Sequence, residues 1–542
     1  MSQPQKQNFL HGAAILAFGV VIMKILGAIY KIPLQNILGD TGYGYFNAAY
    51  VIYNVLLTIA TAGLPVALSR MISEANTLGR PKQERRIFRV ATATLLVLGF
   101  VFSALMFFFP TDMAVLFVSK PEISQCVYAI SPAVLLVCLT SAFRGYIQGH
   151  GNMKPTTVGQ VLEVLVKVVV GLTLAILFTR SGKSLPVSSA GAIFGVTAGG
   201  LAALVYMLIC YLRDYRGRNL EEIRAGTDKP DSVGATFASF VKIGVVITLG
   251  ASVMSVISLI DTKLIQEQLP HVQGIGQALA DELYGSYSAM QTLFNLPAAF
   301  ITPMSIAVVP AISAAVAHRQ HHEACAIAES GMRISAVLAM PMGMGLAVLA
   351  EPIVHVLYKD TNEMGPTILV YLAVASVFVC VTLVTNAILQ AGGNEKLPIL
   401  SMIVGGALKI GANLLLVGRP SINILGAPIG TILCYAAICG MNCFFISRTQ
   451  RYKPRYGSVF LRPLLSTVVM GASAWAVYGL ADRVLHASAG GSRLLLIVEM
   501  CAAIAVAVVV YLVMVIATHA VTSEDMKLIP KGEKLAKLLH IR

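Results

Sequence analysis

The chain has 542 residues, of which 56% are hydrophobic and only 12% are charged, and its formal net charge is +14. Soluble domains carry about 25% charged residues, so this composition excludes an ordinary water-soluble protein. Apolar stretches long enough to cross a bilayer follow one another along the chain. Because backbone polar groups in hydrocarbon must be satisfied within their own segment, these stretches predict helices. The predicted fold class is an all-α polytopic membrane protein.

Breaks at glycine, proline and clustered charge divide the chain into about fourteen predicted spans. Their approximate limits are 10–34, 44–69, 87–109, 124–147, 156–179, 188–213, 237–265, 284–316, 328–350, 366–390, 397–417, 423–447, 461–481 and 494–518. The first stretch is longer than the apolar part of a signal peptide and has no small-residue cleavage site, so we expect it to stay as a span.

Basic residues concentrate in alternate loops, and this asymmetry orients the chain. The loops rich in basic residues contain Arg80, Lys82, Arg85, Arg86, Arg89, Arg144, Lys154, Arg213, Arg216, Arg218, Arg319, Lys396, Arg448, Arg451, Lys453 and Arg455. By the positive-inside rule these loops and both termini face the cytoplasm, which requires an even number of spans. The net positive charge is therefore an orientation signal, and we predict no nucleic-acid partner.

A short polar phrase occurs twice, as QGHGNMKP at 148–155 and as QAGGNEKLP at 390–398. Other residues match at nearly the same offset: Lys167 with Lys409, Tyr43-Gly44 with Tyr284-Gly285, and Asn54 with Asn295. An even number of spans separates the copies, so both have the same orientation. This pattern predicts two parallel repeats with a substrate site between them, the arrangement of an alternating-access transporter.

The predicted organisation has six segments. They are an N-terminal six-helix lobe at 1–213, a cytoplasmic linker at 214–236, a C-terminal six-helix lobe at 237–447, a second cytoplasmic linker at 448–460, two additional spans at 461–518 and a basic cytoplasmic tail at 519–542. The two additional spans have no partner in the repeat. Both a groove for a lipid tail and passive packing are open interpretations of them.

Lysines occur at membrane depth, where ionisable groups are costly and are candidates for function. Lys24 lies in the first span, and Lys167 and Lys409 lie at repeat-equivalent places in the fifth and eleventh spans. If they face a wet cavity, they give it a positive potential that suits an anionic substrate such as a phosphate. Asn54 and Asn295, expected in mid-helix, either line this cavity or hydrogen-bond neighbouring helices.

Two carboxylates are candidates for energy coupling. Glu163 precedes Lys167 by four residues, so the two either neutralise each other as a helical ion pair or serve transport. Asp261 closes the apolar part of the seventh span, where it either lies at the outer interface or carries a proton. Lys31, nearer the end of the first span, is expected to snorkel to the interface. Membrane potential, protons and another ion are all open as energy sources.

The sequence predicts no catalytic residue, metal site, cofactor or nucleotide. The nine cysteines are scattered singly, and no histidine or carboxylate completes a metal set beside Cys439 and Cys443. A Walker A sequence is absent from the chain, which argues against ATP-driven pumping. We expect a monomer.

Four segments in order resemble one family. They are KILGAIYKIPLQNILGDTGYGYF, GLPVALSRMISEA, RGYIQGHGNMKPT and NLPAAFITPMSIAVVPAIS. Together they resemble the SpoVB-like branch of the MOP superfamily, the polysaccharide-transporter group that includes the MurJ-type lipid II flippases. The resemblance covers essentially the whole chain, including the two additional spans.

The resemblance implies a V-shaped pair of six-helix lobes, similar to MATE transporters, in the bacterial plasma membrane. Such proteins move undecaprenyl-pyrophosphate-linked sugars from the inner to the outer leaflet, with the head group in a cationic cavity and the prenyl tail among membrane lipids near the two extra helices. Lys24, before Ile25-Leu26-Gly27, matches the basic residue of the MurJ-type first span. The MurJ-type arginines of the second span are absent after Asn54, so either lipid II or another glycan precursor fits.

Two other functions are open. A MATE-like antiporter of cations or drugs would favour carboxylates within the membrane, whereas the buried charge here is mainly basic. A membrane-embedded glycan polymerase or ligase would need a large extracytoplasmic loop, whereas the outer loops here are short.

Overall fold

The computed structural model of the protein describes residues 3–214, 221, 226–489, 493–521 and 525. Over these residues the regular elements are all helices, and no strand occurs among them, which confirms the predicted fold class. Part of the predicted linker 214–236 and most of the predicted tail 519–542 lie outside the described residues.

In the described part of the chain, 13 helices are long and apolar enough to cross a membrane. The first of them, the segment Val21–Thr77, has 57 residues and joins one long helix that ends at Thr61 to a shorter helix, Leu64–Thr77. At 1.5 Å per residue it would extend about 86 Å, far more than the roughly 30 Å of a bilayer core. Gly39 interrupts it with φ 68° and ψ 177°, a conformation outside the helical region that glycine adopts without steric cost. Because this segment therefore contains two crossings, the expected count of about fourteen is confirmed.

The chain divides into two compact units, Met1–Pro270 and His271–Arg542. The described helices of the first unit are α1 (Gln3–Thr61, divided at Gly39), α2 (Leu64–Thr77), α3 (Pro81–Phe108), α4 (Pro110–Val118), α5 (Ser124–Gly149), α6 (Lys154–Arg180), α7 (Leu185–Asp214) and α8 (Val233–Gln268). α6 packs against α7 and α1, and α5 packs against α3 and α7. α8 packs against α1, α2 and α3.

The described helices of the second unit are α9 (Gln277–Phe294), α10 (Leu296–Ala317), α11 (His321–Val348), α12 (Ala350–Leu357), α13 (Gly365–Ala391), α14 (Lys396–Leu416), α15 (Gly426–Thr449), α16 (Arg462–Ala489) and α17 (Arg493–Ala517). α15 packs against α14 and α13, and α11 packs against α13. The two additional spans, α16 and α17, pack against each other, and α16 also packs against α11.

The predicted lobes and linkers stay predictions, and the two units differ from them in one helix. The seventh span, α8, was assigned to the C-terminal lobe at 237–447, whereas its contacts with α1, α2 and α3 put it in the first unit.

The duplicated phrase forms the same turn in both units. Gly151 and Gly393 each have φ 78°. The amide of Gly151 donates to the carbonyl of Gln148 at 2.9 Å, and the amide of Gly393 donates to that of Gln390 at 3.0 Å. Only glycine reaches this left-handed conformation without steric cost, so the turn requires it. The phrase therefore has a structural role, as a helix-ending turn that begins the next helix.

A buried ion pair anchors the tail to the second unit. The Asp525 carboxylate is fully buried and accepts two hydrogen bonds from Nη1 of Arg333, at 2.9 and 3.1 Å. The hydroxyl of Ser330 donates to the same carboxylate. Arg333 also lies 3.7 Å from Glu329. Both Arg333 and Ser330 belong to α11, so this carboxylate fixes residue 525 onto a membrane helix.

We predict that Asp525→Ala destabilises the protein by about 3 kcal/mol, because it leaves the guanidinium of Arg333 buried without its main counter-charge. The measurement is the unfolding temperature of the full chain in detergent. Asp360→Ala removes the same charge from an exposed loop and is the matched control. Equal unfolding temperatures for the two variants would contradict the anchoring role.

Candidate functional site

An aromatic stripe runs along the second arm of α1, residues 40–61. Tyr43, Phe46, Tyr50 and Tyr53 follow one another at helical spacing, with ring centroids 6.0, 6.0 and 5.7 Å apart. Tyr30, on the first arm, contacts Phe46 edge-on at 6.0 Å. These separations are typical of interacting aromatic pairs, so the stripe holds the two arms of α1 together.

Two lysines converge on this stripe. The amino group of Lys167 lies 5.7 Å from the ring centroids of both Tyr30 and Tyr50. The amino group of Lys31 lies 5.9 Å from the Tyr50 centroid. All three distances are within the range of a cation–π interaction. We call Tyr30, Lys31, Tyr50 and Lys167 the lysine–tyrosine cluster.

The cluster is held in place by close helix packing. The hydroxyl of Tyr30 donates to the carbonyl of Ala192 at 3.0 Å, and its side chain is 1% exposed. A Cβ on Gly195 would lie 2.6 Å from the carbonyl oxygen of Lys167, so glycine is needed for α7 to approach α6 this closely. Small residues commonly allow such packing between membrane helices.

Lys31 was expected to snorkel to the interface, and this stays a prediction; its amino group lies over the face of Tyr50 within the first unit. Lys24 lies seven residues earlier on α1 and therefore on the same face of the helix. Its side chain is exposed. Lys24, Lys31 and Lys167 thus contribute three positive charges to one unit.

Of the two interpretations left open for Glu163, an ion pair with Lys167 is not seen among the residues that the structure describes. The Glu163 carboxylate accepts a hydrogen bond from Arg144 at 2.6 Å, and both side chains are largely buried. Arg144 was counted with a cytoplasmic loop, but it lies inside α5. The hydrogen bond from its guanidinium to the carboxylate joins two charged groups, and such bonds are stronger than those between neutral groups. Arg144 therefore neutralises Glu163. Lys167 has aromatic rings beside its amino group instead of this carboxylate.

Asp261 is buried within the first unit, with 4% of its surface exposed. It is engaged in a polar or electrostatic contact. Its neighbour Lys263 is more exposed and lies 3.7 Å from Glu267. The two interpretations of Asp261, a place at the outer interface and a role in carrying a proton, both stay predictions.

The repeat partners in the second unit have different surroundings. Lys409 is 8% exposed on α14, whereas Lys167 is half-buried. A Cβ on Gly430 of α15 would lie 3.4 Å from the carbonyl oxygen of Lys409 and 2.6 Å from Oδ1 of Asn413. Lys409 and Asn413 therefore lie where α14 and α15 approach each other closely.

The two repeat-paired asparagines also differ. Asn54 is half-buried within α1, and its carbonyl accepts the Thr58 hydroxyl at 2.6 Å. Asn295 was expected in mid-helix, which is wrong, because α9 ends at Phe294 and α10 begins at Leu296. It is exposed, and its side chain donates to the carbonyl of Gln291 at 2.6 Å. The physical reason is Pro297, which has no amide hydrogen and favours a helix start.

Sequence reasoning missed one buried polar network. The side-chain amide of Asn442, on α15, donates to the hydroxyl of Thr385 at 3.1 Å and to the side-chain oxygen of Asn386 at 2.7 Å. Both acceptors lie on α13. Polar residues within two apolar spans were the available signal. Buried hydrogen bonds of this kind fix how two helices pack.

An apolar groove of about 590 Å³ lies in the second unit between α11 and the additional spans α16 and α17. Its lining includes Leu338, Met342, Met470, Val508 and Leu512. The additional spans therefore form one wall of this groove.

Comparison with solved structures defines the class of protein. The fold is similar to that of a lipid II flippase MurJ in an inward closed conformation, with a TM-score of 0.67 at 13% identity, over 92% of this chain and 97% of that chain. It is also similar to an inward-facing multidrug resistance MATE transporter of the MOP superfamily, with a TM-score of 0.63 at 14% identity, over 80% of this chain and 98% of that chain. The protein is a polytopic membrane protein with the MOP superfamily fold.

The family follows from the sequence. The model of the polysaccharide biosynthesis protein family matches residues 9–316, more than half of the chain, and the MatE model matches residues 278–415. The chain therefore belongs to the polysaccharide biosynthesis protein family, and the predicted SpoVB-like and MurJ-type resemblance is confirmed.

Three curated relatives come from Bacillus subtilis (strain 168), and each is 25% identical to this chain. The uncharacterized membrane protein YabM matches over 98% of this chain and 96% of its own length. Stage V sporulation protein B matches over 82% and 84%, and lipid II flippase MurJ over 93% and 94%. These matches extend over most of both chains.

We predict that Arg144 and Glu163 are energetically coupled. Arg144→Gln and Glu163→Gln should each lower the stability of the protein, and the double variant should lose less than the sum, with a coupling of about 1 to 2 kcal/mol. The measurement is a double-mutant cycle on unfolding in detergent.

The exposed pair Arg80–Asp231, with N–O distance 3.2 Å, is the matched comparison for this cycle. Exposed pairs contribute roughly 0 to 1 kcal/mol, so its coupling should be smaller. Additive losses at Arg144 and Glu163 would show that the ion pair does not hold α5 and α6 together.

Proposed function

We propose that this protein is an alternating-access flippase. It moves an undecaprenyl-pyrophosphate-linked sugar, either lipid II or another precursor of the cell wall or of a polysaccharide, from the inner to the outer leaflet of the bacterial plasma membrane. It acts as a monomer, with both termini in the cytoplasm. The observation that carries the proposal is the convergence of Lys31 and Lys167 on the ring of Tyr50.

The electrostatics of the lysine–tyrosine cluster support an anionic head group. Two ammonium groups close to one ring repel each other, and an anion bound near both would relieve this repulsion. The nearest acidic candidate on α6, Glu163, is already paired with Arg144, so the cluster keeps its positive charge. Lysine serves phosphate well as a point charge, and a pyrophosphate offers several acceptor oxygens to it.

The other predicted residues enter the proposal by their position. Lys24 lies on the same face of α1 as Lys31 and adds a third positive charge for binding the head group. Lys409, Asn54 and Asn295 are the repeat-related members of the substrate-binding set. Glu163 and Asp261 are the candidates for coupling to an ion. For Glu163, the pairing with Arg144 favours positioning of α6.

The rest of the molecule fits a lipid-linked substrate. The matching turns at Gly151 and Gly393 support two repeats of the kind found in alternating-access transporters. The apolar groove at α11, α16 and α17 suits a prenyl chain. A relative that matches over nearly the whole chain is named a lipid II flippase.

A MATE-like antiporter is the second candidate, because the fold is also similar to that of a multidrug resistance MATE transporter. A cationic drug would meet the amino groups of Lys31 and Lys167 in the cluster, which disfavours its binding there. A glycan polymerase or ligase has no observation in its favour. In this proposal the protein is a transporter, and its substrate binds without a cofactor, metal or nucleotide.

We predict that Lys167→Gln slows flipping at least tenfold, because a hydrogen bond between charged groups contributes about 1.5 to 3 kcal/mol. Lys24→Ala and Lys409→Ala should each slow flipping less. The triple variant in which Lys24, Lys167 and Lys409 are all changed to alanine should be the slowest. The measurement is the rate at which a fluorescent undecaprenyl-pyrophosphate-linked sugar moves between the two leaflets of a proteoliposome membrane. Lys183→Gln, in the exposed turn between α6 and α7, is the matched control.

A triple alanine variant that folds normally and flips at the unaltered rate would refute the cationic site. Depletion of the protein in a native or surrogate host should leave lipid-linked precursors on the inner leaflet. Protection of lipid II from an external hydrolase would then identify lipid II as the cargo. Transport of a cationic dye with no precursor accumulation would favour the antiporter.

A further inference from the structure

A second groove lies in the first unit, away from the lysine–tyrosine cluster. It has a volume of about 960 Å³ and opens between the first half of α3 and the start of α8. Its lining contains none of the residues assigned above to substrate binding or coupling. Any ligand of this groove would therefore be distinct from the transported head group.

The groove changes from cationic to apolar along a single face of α3. Lys82, Arg85 and Arg89 line its first part, and Ala93 and Val97 continue the same helical stripe. Arg89 and Val97 are separated by about 12 Å along the helix axis, at 1.5 Å per residue. By the positive-inside rule, the basic end lies at the cytoplasmic surface. The groove thus passes from the level of the phospholipid head groups into the hydrocarbon.

The rim of the groove is a fixed structure. The carboxylate of Asp228 accepts the backbone amides of Lys82 and Gln83 at 3.2 and 3.0 Å, at the start of α3. Arg86 donates to the carbonyls of Pro230 and Asp231. The segment 228–231 is therefore held against α3 and forms one edge of the groove.

The two carboxylates of the rim already have partners within the protein, whereas two arginines of the groove can bind an anion. Asp231 pairs with Arg80 at 3.2 Å, and Asp228 caps α3. Arg85 and Arg89 are exposed and form no ion pair or hydrogen bond with a side chain that the structure describes. The groove therefore presents positive charge that its own carboxylates do not neutralise.

The apolar part of the groove offers surface to acyl chains. Val97 on α3 is 60% exposed and Phe237 on α8 is 46% exposed, and both line the groove. Exposed apolar side chains on these two helices therefore line the groove beyond its basic end. In a bilayer this part of the groove would be filled by lipid.

We infer that this groove is a binding site for an anionic phospholipid, with its phosphate at Lys82, Arg85 and Arg89 and an acyl chain between Val97 and Phe237. Basic pockets between membrane helices at the cytoplasmic surface bind such head groups. A zwitterionic lipid would bring its own positive charge to the same rim and would bind less well. The bound lipid would join α3 to α8.

The test measures the affinity of the full-length protein in detergent for a fluorescent phosphatidylglycerol, by anisotropy. Arg85→Gln with Arg89→Gln should weaken binding about tenfold or more. Arg451→Gln with Lys453→Gln removes the same charge from exposed positions of the second unit and should leave binding unchanged. Ala93→Trp fills the groove without altering charge and should also weaken binding, whereas Val101→Trp, on α3 but outside the groove lining, should not.

Two competitors define the ligand. Unlabelled dioleoyl phosphatidylglycerol should displace the probe, and dioleoyl phosphatidylcholine or soluble glycerol phosphate should do so at least tenfold less well. Equal competition by glycerol phosphate would overturn the lipid as occupant, and equal competition by phosphatidylcholine would overturn the role of charge. Unchanged binding by the folded Ala93→Trp variant, or an equal loss in the Arg451 and Lys453 variant, would overturn the site itself.

Discussion

The structure depends on one constraint, which is that a charge buried among membrane helices needs a partner within reach. Three examples among the described residues show how this need is met. Glu163 has Arg144, and Arg333 has Asp525, each across two chain segments. Lys167 has the faces of two tyrosines instead of a carboxylate. Because rings attract a cation without neutralising it, this third solution leaves a positive charge that a ligand can use.

The two repeats preserve structure more strictly than they preserve side-chain surroundings. Gly151 and Gly393 have the same φ, since each turn works only in that conformation. Lys167 and Lys409 match in sequence, yet one faces aromatic rings and the other is buried near α15. A turn constrains the backbone alone, whereas a site is built by helices that have diverged. The two repeats therefore share a turn but not the surroundings of their matched lysines.

Hydropathy and loop charge were enough to predict the helical class and the number of spans, because bilayer thickness constrains both. The partner of Glu163 was not predictable in this way. Spacing along one helix suggested Lys167, whereas Arg144 comes from a neighbouring helix and had been counted with a loop. The cluster at Tyr50 was missed for the same reason, since three separate segments of chain build it. The helix break at Asn295 was missed although Pro297 signals it.

The two grooves differ in a way that limits what each can hold. The groove at α11, α16 and α17 is lined by apolar side chains and the ring of Tyr511, so it suits a hydrocarbon chain and offers a phosphate no counter-charge. The groove at α3 and α8 joins arginines to an apolar floor and so suits a whole anionic lipid. An apolar chain whose head group is bound elsewhere needs only the first kind of groove. A resident lipid, which brings its own head group, needs the second. The sequence order of charge and apolarity along α3 is therefore a recognition element in its own right, separate from the orientation signal to which the same arginines contribute.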